Sequence, residues 1–247
     1  MQANIYPVAL HVDVSLQYKS MMKQLLTLLL AMVILPCVGQ DKELPPPDYG
    51  GLNRYKAANE KFEATPEDRV VFLGNSITDA WAYVDTAFFA DNNFVGRGIS
   101  GQTSPQLLVR FRQDVIDLQP KTVIIHIGTN DIAENTGPYN QAFTLGNIIS
   151  MVDLAEKNGM EAIIASVLPA TQFSWRPKMG DPSAVIIALN EKLQALASDR
   201  GLKYIDYHTA LKNDANGMDV DLAKDGVHPT MKAYEIMAKL ALKALKE

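Results

Sequence analysis

A series of short apolar runs constrains this chain most: residues 69–73, 93–95, 122–127, 162–168 and 203–205. They are mostly rich in Val and Ile and lack polar alternation, which reads as strands buried on both faces. Between them, residues 104–118, 138–158, 184–200 and 230–246 carry apolar side chains at the three-to-four spacing of helices. Gly159 and Gly201 follow two of these stretches as C-caps would. Strand and helix in alternation imply a parallel sheet covered on both faces, with right-handed crossovers. The expected architecture is therefore three-layer α/β/α with a flavodoxin-like sheet in the order 2-1-3-4-5.

The length of 247 residues, 47% hydrophobic and 21% charged, suits one globular domain without internal repeats. A net charge of -5 and the absence of any Lys/Arg cluster interleaved with aromatics argue against a nucleic-acid partner. Met22-Lys23 precedes an apolar run at 25–35 that is too short to span a bilayer, after which Val38-Gly39-Gln40-Asp41 turns polar. This predicts a signal peptide over 21–39, cleaved after Gly39, with 1–20 an upstream extension and the protein periplasmic or secreted. Cys37, the sole cysteine, allows a lipoprotein alternative, but Pro36 before it fits that poorly. Leu44-Pro45-Pro46-Pro47 then reads as linker, with 40–63 holding linker and an N-terminal helical segment and 64–247 the main domain, although domain-like sequence begins near residue 48. Without Cys37 the mature chain has neither disulfides nor a thiolate nucleophile.

In an open parallel sheet a ligand sits beyond the carboxyl ends of the strands, where strand order reverses. That point gathers Gly74-Asn75-Ser76-Ile77-Thr78 after strand 1, Ser100-Gly101-Gln102-Thr103 after strand 2 and Gly128-Thr129-Asn130-Asp131 after strand 3. Near the C-terminus stands Asp225-Gly226-Val227-His228-Pro229, and residues 207–224 are long enough to return it across about three strand spacings. Pro229 is expected to open the last helix. Ser76, His228 and Asp225 then form a nucleophile, a base and a carboxylate that orients it. The backbone N–H of Ser76, the backbone N–H of Gly101 and the side-chain amide of Asn130 can meet a developing oxyanion.

These blocks resemble the SGNH hydrolases, also called GDSL-type esterases and lipases, in four motifs taken in order from Arg69 to the C-terminus. One departure is visible, since Asn75 stands where the eponymous motif has Asp. The resemblance implies a carboxylic-ester hydrolase with Ser76, Asp225 and His228 as triad, needing no cofactor and no metal. Export and the lack of a long apolar, lid-like segment favour short acyl esters, above all acetyl groups on carbohydrate. A lysophospholipase or thioesterase is the enzyme alternative, and a non-catalytic carbohydrate-binding protein the alternative of another class.

Other residues receive plainer readings. The loop 169–182 holds Trp175, Arg176, Lys178 and Met179 and is expected to line the substrate, as Trp81 and Tyr83 can from the first helix. His126 reads as a core residue and His208 as a poorer base than His228, while Asp79 and Asp131 read as structural. Residues 214–225 mimic a calcium loop, but Met218 and a misplaced glycine spoil it. Thr78 replaces the second glycine of a nucleophile elbow, which argues against an ordinary α/β-hydrolase.

Overall fold

Five strands pair in parallel: β1 (Val70–Gly74), β2 (Phe94–Gly98), β3 (Thr122–His126), β4 (Glu161–Ala165) and β5 (Lys203–Ile205), in the order β2-β1-β3-β4-β5. The computed structural model describes Met22, 48–62 and 68–247, and residues Asp48–Glu247 form one unit. Apart from Met22, the expected signal peptide lies outside the described residues, as do Cys37 and the proline linker. Among the described residues no helix is long and apolar enough to cross a membrane.

The continuous apolar runs serve two layers at once because successive strand residues face opposite sides. Val71, Leu73, Val123, Ile125 and Ile164 pack with α4 (Ser104–Asp114), α6 (Gln141–Lys157) and α7 (Ser183–Arg200). Val70, Phe72, Ile124, Ile163 and Ala165 pack with α2 (Ser76–Val84), α3 (Thr86–Asp91) and α9 (Met231–Lys246). Among the residues described from Asp48 onward, three shorter helices accompany these: α1 (Lys56–Glu60), α5 (Thr129–Ile132) and α8 (Tyr207–Leu211).

The second layer holds an aromatic cluster, and it claims Trp81. This indole is 2% exposed, stacked on Phe88 at 5.0 Å and on Tyr234 at 5.3 Å, with Phe72 edge-on at 5.5 Å. Such pairs are worth about 0.5–1.5 kcal/mol beyond their burial. Trp81 is thus a core residue rather than the substrate-lining one expected from the sequence, and Tyr83 is left exposed on the outer side of α2.

Several boundaries move for local reasons. Strand β2 runs on through Gly96-Arg97-Gly98 because the buried Arg97 guanidinium is satisfied by the Asn59 side chain and the Gly96 carbonyl. Strand β4 stops at Ala165 because both backbone groups of Val167 are taken by the Asn190 side chain, at 2.8 and 2.9 Å. Helix α4 ends at Asp114 and a 3₁₀ turn, Ile116–Leu118, follows; α6 starts only at Gln141, capped by Asn140. Residues 48–62 strap across this face, with Gln102 and Gln113 donating to the carbonyls of Gly50 and Leu52. The division at residue 64 therefore falls inside the unit.

The sheet positions the site through its register. Gly74 of β1 pairs with Gly98 of β2 and His126 of β3, so three loops leave the sheet at one level. A Cβ on Gly98 would lie 2.1 Å from the Asp79 nitrogen, so glycine there lets the first turn of α2 settle onto the end of β2.

Candidate active site

Ser76 is the first residue of α2, a position whose N–H has no acceptor within the helix. The Asn75 side chain caps the helix by accepting from Ile77 N–H at 3.0 Å. Asparagine and aspartate cap equally well, which explains locally why Asn can stand there. The positive end of α2 also favours negative charge at Ser76.

The Ser76 hydroxyl lies 2.9 Å from His228 Nε2, and His228 Nδ1 lies 2.6 Å from Asp225 Oδ2. The other carboxylate oxygen, Oδ1, accepts from the backbone N–H of Val227 at 3.0 Å and of His228 at 2.8 Å. Asp225 thereby closes the turn that carries its own histidine. Burial raises the Asp225 carboxyl, but the His228 N–H, the His228 ring and the Val227 N–H outweigh it, so it ionises below the usual 3.8. Thr230, not Pro229, caps α9; its N–H and hydroxyl donate to the carbonyls of Leu222 and Asp221, each at 2.7 Å, anchoring the turn from behind.

Gly101 sits at φ +78°, a backbone conformation that suits glycine, and a Cβ there would make an ordinary contact with Asn135 Nδ2 at 3.9 Å. Asn130 is the second residue of α5, is 4% exposed and donates from Nδ2 to the Gln102 carbonyl at 2.9 Å. That nitrogen carries two hydrogens, and the carbonyl takes one. Asp131 ties the same two loops together: it accepts from Ser104 N–H and, at 2.5 Å, from the Ser104 hydroxyl, and also from Thr144. Burial pushes its carboxyl up, partly offset by these bonds.

Beneath the loops lies a residue that sequence reading passed over. Arg110 is fully buried and donates to the carbonyls of Gly74 and Arg97, each at 2.9 Å, to Gln102 Oε1 at 2.7 Å and to Asp114 at 3.0 Å. It joins the ends of β1 and β2 to the Gly101 loop. Its signal was its place between Leu107 and Phe111 on the buried face of α4, with an acid four residues on.

Trp175 and Arg176 lie on the loop after β4. The Trp175 ring is 6.2 Å from the His228 ring, centroid to centroid. His126 and His208 are both buried; burial holds His126 down at about 4 and lowers His208 as well. Two open clefts of about 500 Å³ flank the region. One is bordered by Glu134, Trp175, Arg176 and Met179, the other by Ala80, Val84, His228 and Met231.

A parallel α/β sheet with a serine, a histidine and a carboxylate hydrogen-bonded in line beyond its carboxyl edge is the arrangement that serine acyl-transfer enzymes share. The chain belongs to the GDSL-like Lipase/Acylhydrolase family, whose model matches residues 72–236. A GDSL-like lipase from Bacteroides thetaiotaomicron VPI-5482 is 42% identical, with a TM-score of 0.78 over 80% of this chain and 98% of that one. An acetylxylan esterase of Xylanibacter ruminicola is 26% identical over 213 residues, 72% of this chain. This chain spans only 43% of that esterase. The acetylxylan esterase Axe2 of Geobacillus stearothermophilus, 20% identical with a TM-score of 0.60 over 74% of this chain and 95% of that one, shares the fold.

Proposed function

We propose that Ser76, His228 and Asp225 act as a catalytic triad that removes short acyl groups, above all acetyl, from carbohydrate esters. The observation that carries this reading is the unbroken line of contacts from the Ser76 hydroxyl through His228 to Asp225. The Ser76 oxygen attacks the ester carbonyl as His228 Nε2 takes its proton. The tetrahedral oxyanion is met by the N–H groups of Ser76 and Gly101 and by the Asn130 side chain, each donor worth about 3 kcal/mol. His228 then returns the proton to the departing alcohol. Water attacks the acyl-enzyme by the same route, and Asp225 holds the ring tautomer and stabilises the imidazolium throughout.

The acetyl preference draws on the acetylxylan esterase relative and on the polar character of the loop around Trp175. Export through the apolar leader at 21–39 suits a polymeric or oligosaccharide substrate outside the cytoplasm. A second reading, hydrolysis of longer acyl esters, draws on the cleft bordered by Ala80, Val84 and Met231 beside His228.

The test is Ser76→Ala. With 4-nitrophenyl acetate, kcat should fall about 10⁴-fold or more with the far-UV spectrum retained, because loss of the nucleophile disables the triad as a unit. A fluorophosphonate probe should label the wild type alone; equal labelling of the variant would remove Ser76 from the mechanism.

A further inference from the structure

Trp175 is one of two tryptophans in the chain, and unlike the core residue Trp81 it keeps 38% of its surface open. It is also firmly held. Its indole N–H donates to Asn135 Oδ1 at 3.1 Å, and its ring stacks on the buried Phe173 at 5.1 Å. The adjacent Arg176 donates to the carbonyls of Ala133, at 2.5 Å, and Glu134. Three hydrogen bonds therefore tie the Trp175 loop to the loop after α5, and they hold an exposed aromatic ring beside His228. The hydrolytic steps use none of this.

We propose that Trp175 is the platform on which the alcohol part of the ester, a sugar ring, stacks, making it the specificity determinant on the leaving-group side. The inference rests on the ester-hydrolase reading above and deepens it. His228 must deliver a proton to the leaving oxygen, so that oxygen lies within hydrogen-bond reach of the imidazole. The body of the alcohol continues from there over whatever borders the ring, and Trp175 does so at 6.2 Å.

An indole face is apolar and electrostatically negative. A pyranose offers the complement, a face of weakly positive C–H groups with hydroxyls around its edge. The surround of Trp175 supplies partners for those hydroxyls, since Glu134, Arg176 and Lys178 border the same cleft and the Glu134 and Arg176 side chains are 42% and 40% exposed. A purely apolar ligand would gain nothing from these charges. Holding the ring in advance spares the ordering loss that binding would otherwise incur.

The hydrogen-bond chain also runs inward. Asn135 Nδ2 donates to the Gly101 carbonyl at 3.1 Å, and the Asn135 N–H to the Asn130 carbonyl at 3.0 Å. Asn135 thus sets the platform at a constant distance from both loops that carry oxyanion donors.

The experiment compares wild type, Trp175→Ala and Trp175→Phe on ethyl acetate and on short acetylated xylo-oligosaccharides, followed by pH-stat. Aryl acetates are unsuitable because their leaving group stacks on the indole too. In Trp175→Ala the ratio of kcat/KM for the saccharide to that for ethyl acetate should drop about tenfold through KM, and Trp175→Phe should recover most of it. In the non-hydrolysing Ser76→Ala background, the acetylated oligosaccharide should blue-shift tryptophan emission, and adding Trp175→Phe should abolish the shift. An unchanged ratio, whether both activities hold or fall together, overturns the platform. A wild type active on ethyl acetate and inert toward every acetylated saccharide overturns the carbohydrate reading as well, so the two failures differ in which protein shows them.

Discussion

His126 should make this fold acid-sensitive by an amount that can be worked out. It ends β3 in register with Gly74, is 6% exposed and packs edge-on against Tyr207 at 5.6 Å. Burial holds its pKa at about 4, against 6.5 for an open imidazole, while a hydrogen bond to the Ser166 backbone pulls weakly the other way. Between these values the unfolded chain binds a proton that the folded one refuses, so stability rises with pH. The contribution is complete above pH 6.5 and is lost as pH falls through 4. Two and a half units at about 1.36 kcal/mol each give roughly 3 kcal/mol in all, and about 2 kcal/mol is already gone at pH 5. Against a total of about 5–15 kcal/mol this is a large share. Urea unfolding of wild type and His126→Gln at pH 7.5 and pH 5.0 measures it, because other groups titrate alike in both proteins. The wild type should lose about 2 kcal/mol more than the variant between the two conditions. Parallel losses would show that His126 does not refuse its proton when folded, and the burial argument would fail.

Asn130→Ala should lower kcat about 10² to 10³-fold with little change in KM, as expected of a donor whose bond completes only in the transition state; a change in KM alone would make it a substrate-positioning residue. Arg110→Met should destabilise the domain by about 3–5 kcal/mol, because Asp114 is left charged, buried and without its cation, and Arg110→Met with Asp114→Leu should recover much of that loss in urea midpoint. Across a series of acyl chain lengths, kcat/KM should be highest for acetyl and propionyl esters; a steady climb to decanoyl, at about 0.8 kcal/mol per buried CH₂, would transfer the reading to longer acyl esters and to the cleft at Val84 and Met231.

The sequence was legible where one residue type in one place has one physical meaning. Runs such as Val-Ile-Ile at 123–125 must be buried on both sides, and the sheet order follows from how such strands connect. Ser76, Asp225 and His228 stood out because their chemistry is rare at loop positions beyond strand ends. Trp81 misled because an aromatic one turn into a helix near a site is equally suited to a pocket or to a core, and only the partners Phe88 and Tyr234 decide between them. The end of β4 was illegible for a similar reason: Val167-Leu168 continues the apolar run, yet an amide 23 residues away takes the backbone of Val167 out of the ladder.

Three buried polar side chains moor the loops that follow the first four strands. Arg110 moors the ends of β1 and β2, Asp131 couples the loop after β3 to α4, and Asn190 clamps the stem of the loop after β4. Preorganised donors need no rearrangement as charge develops, which is where most of their catalytic value lies. The loop after β4 differs from the others in one respect. It contributes neither the serine, the histidine nor an oxyanion donor, and beyond its Asn190 stem its tip is tied through Trp175 and Arg176 to the 133–135 segment. Its exposed side chains stand off the line from Ser76 through His228 to Asp225 and meet the Gly101 and Asn130 loops through Asn135, so on the platform reading substrate choice can change there with the triad left in place.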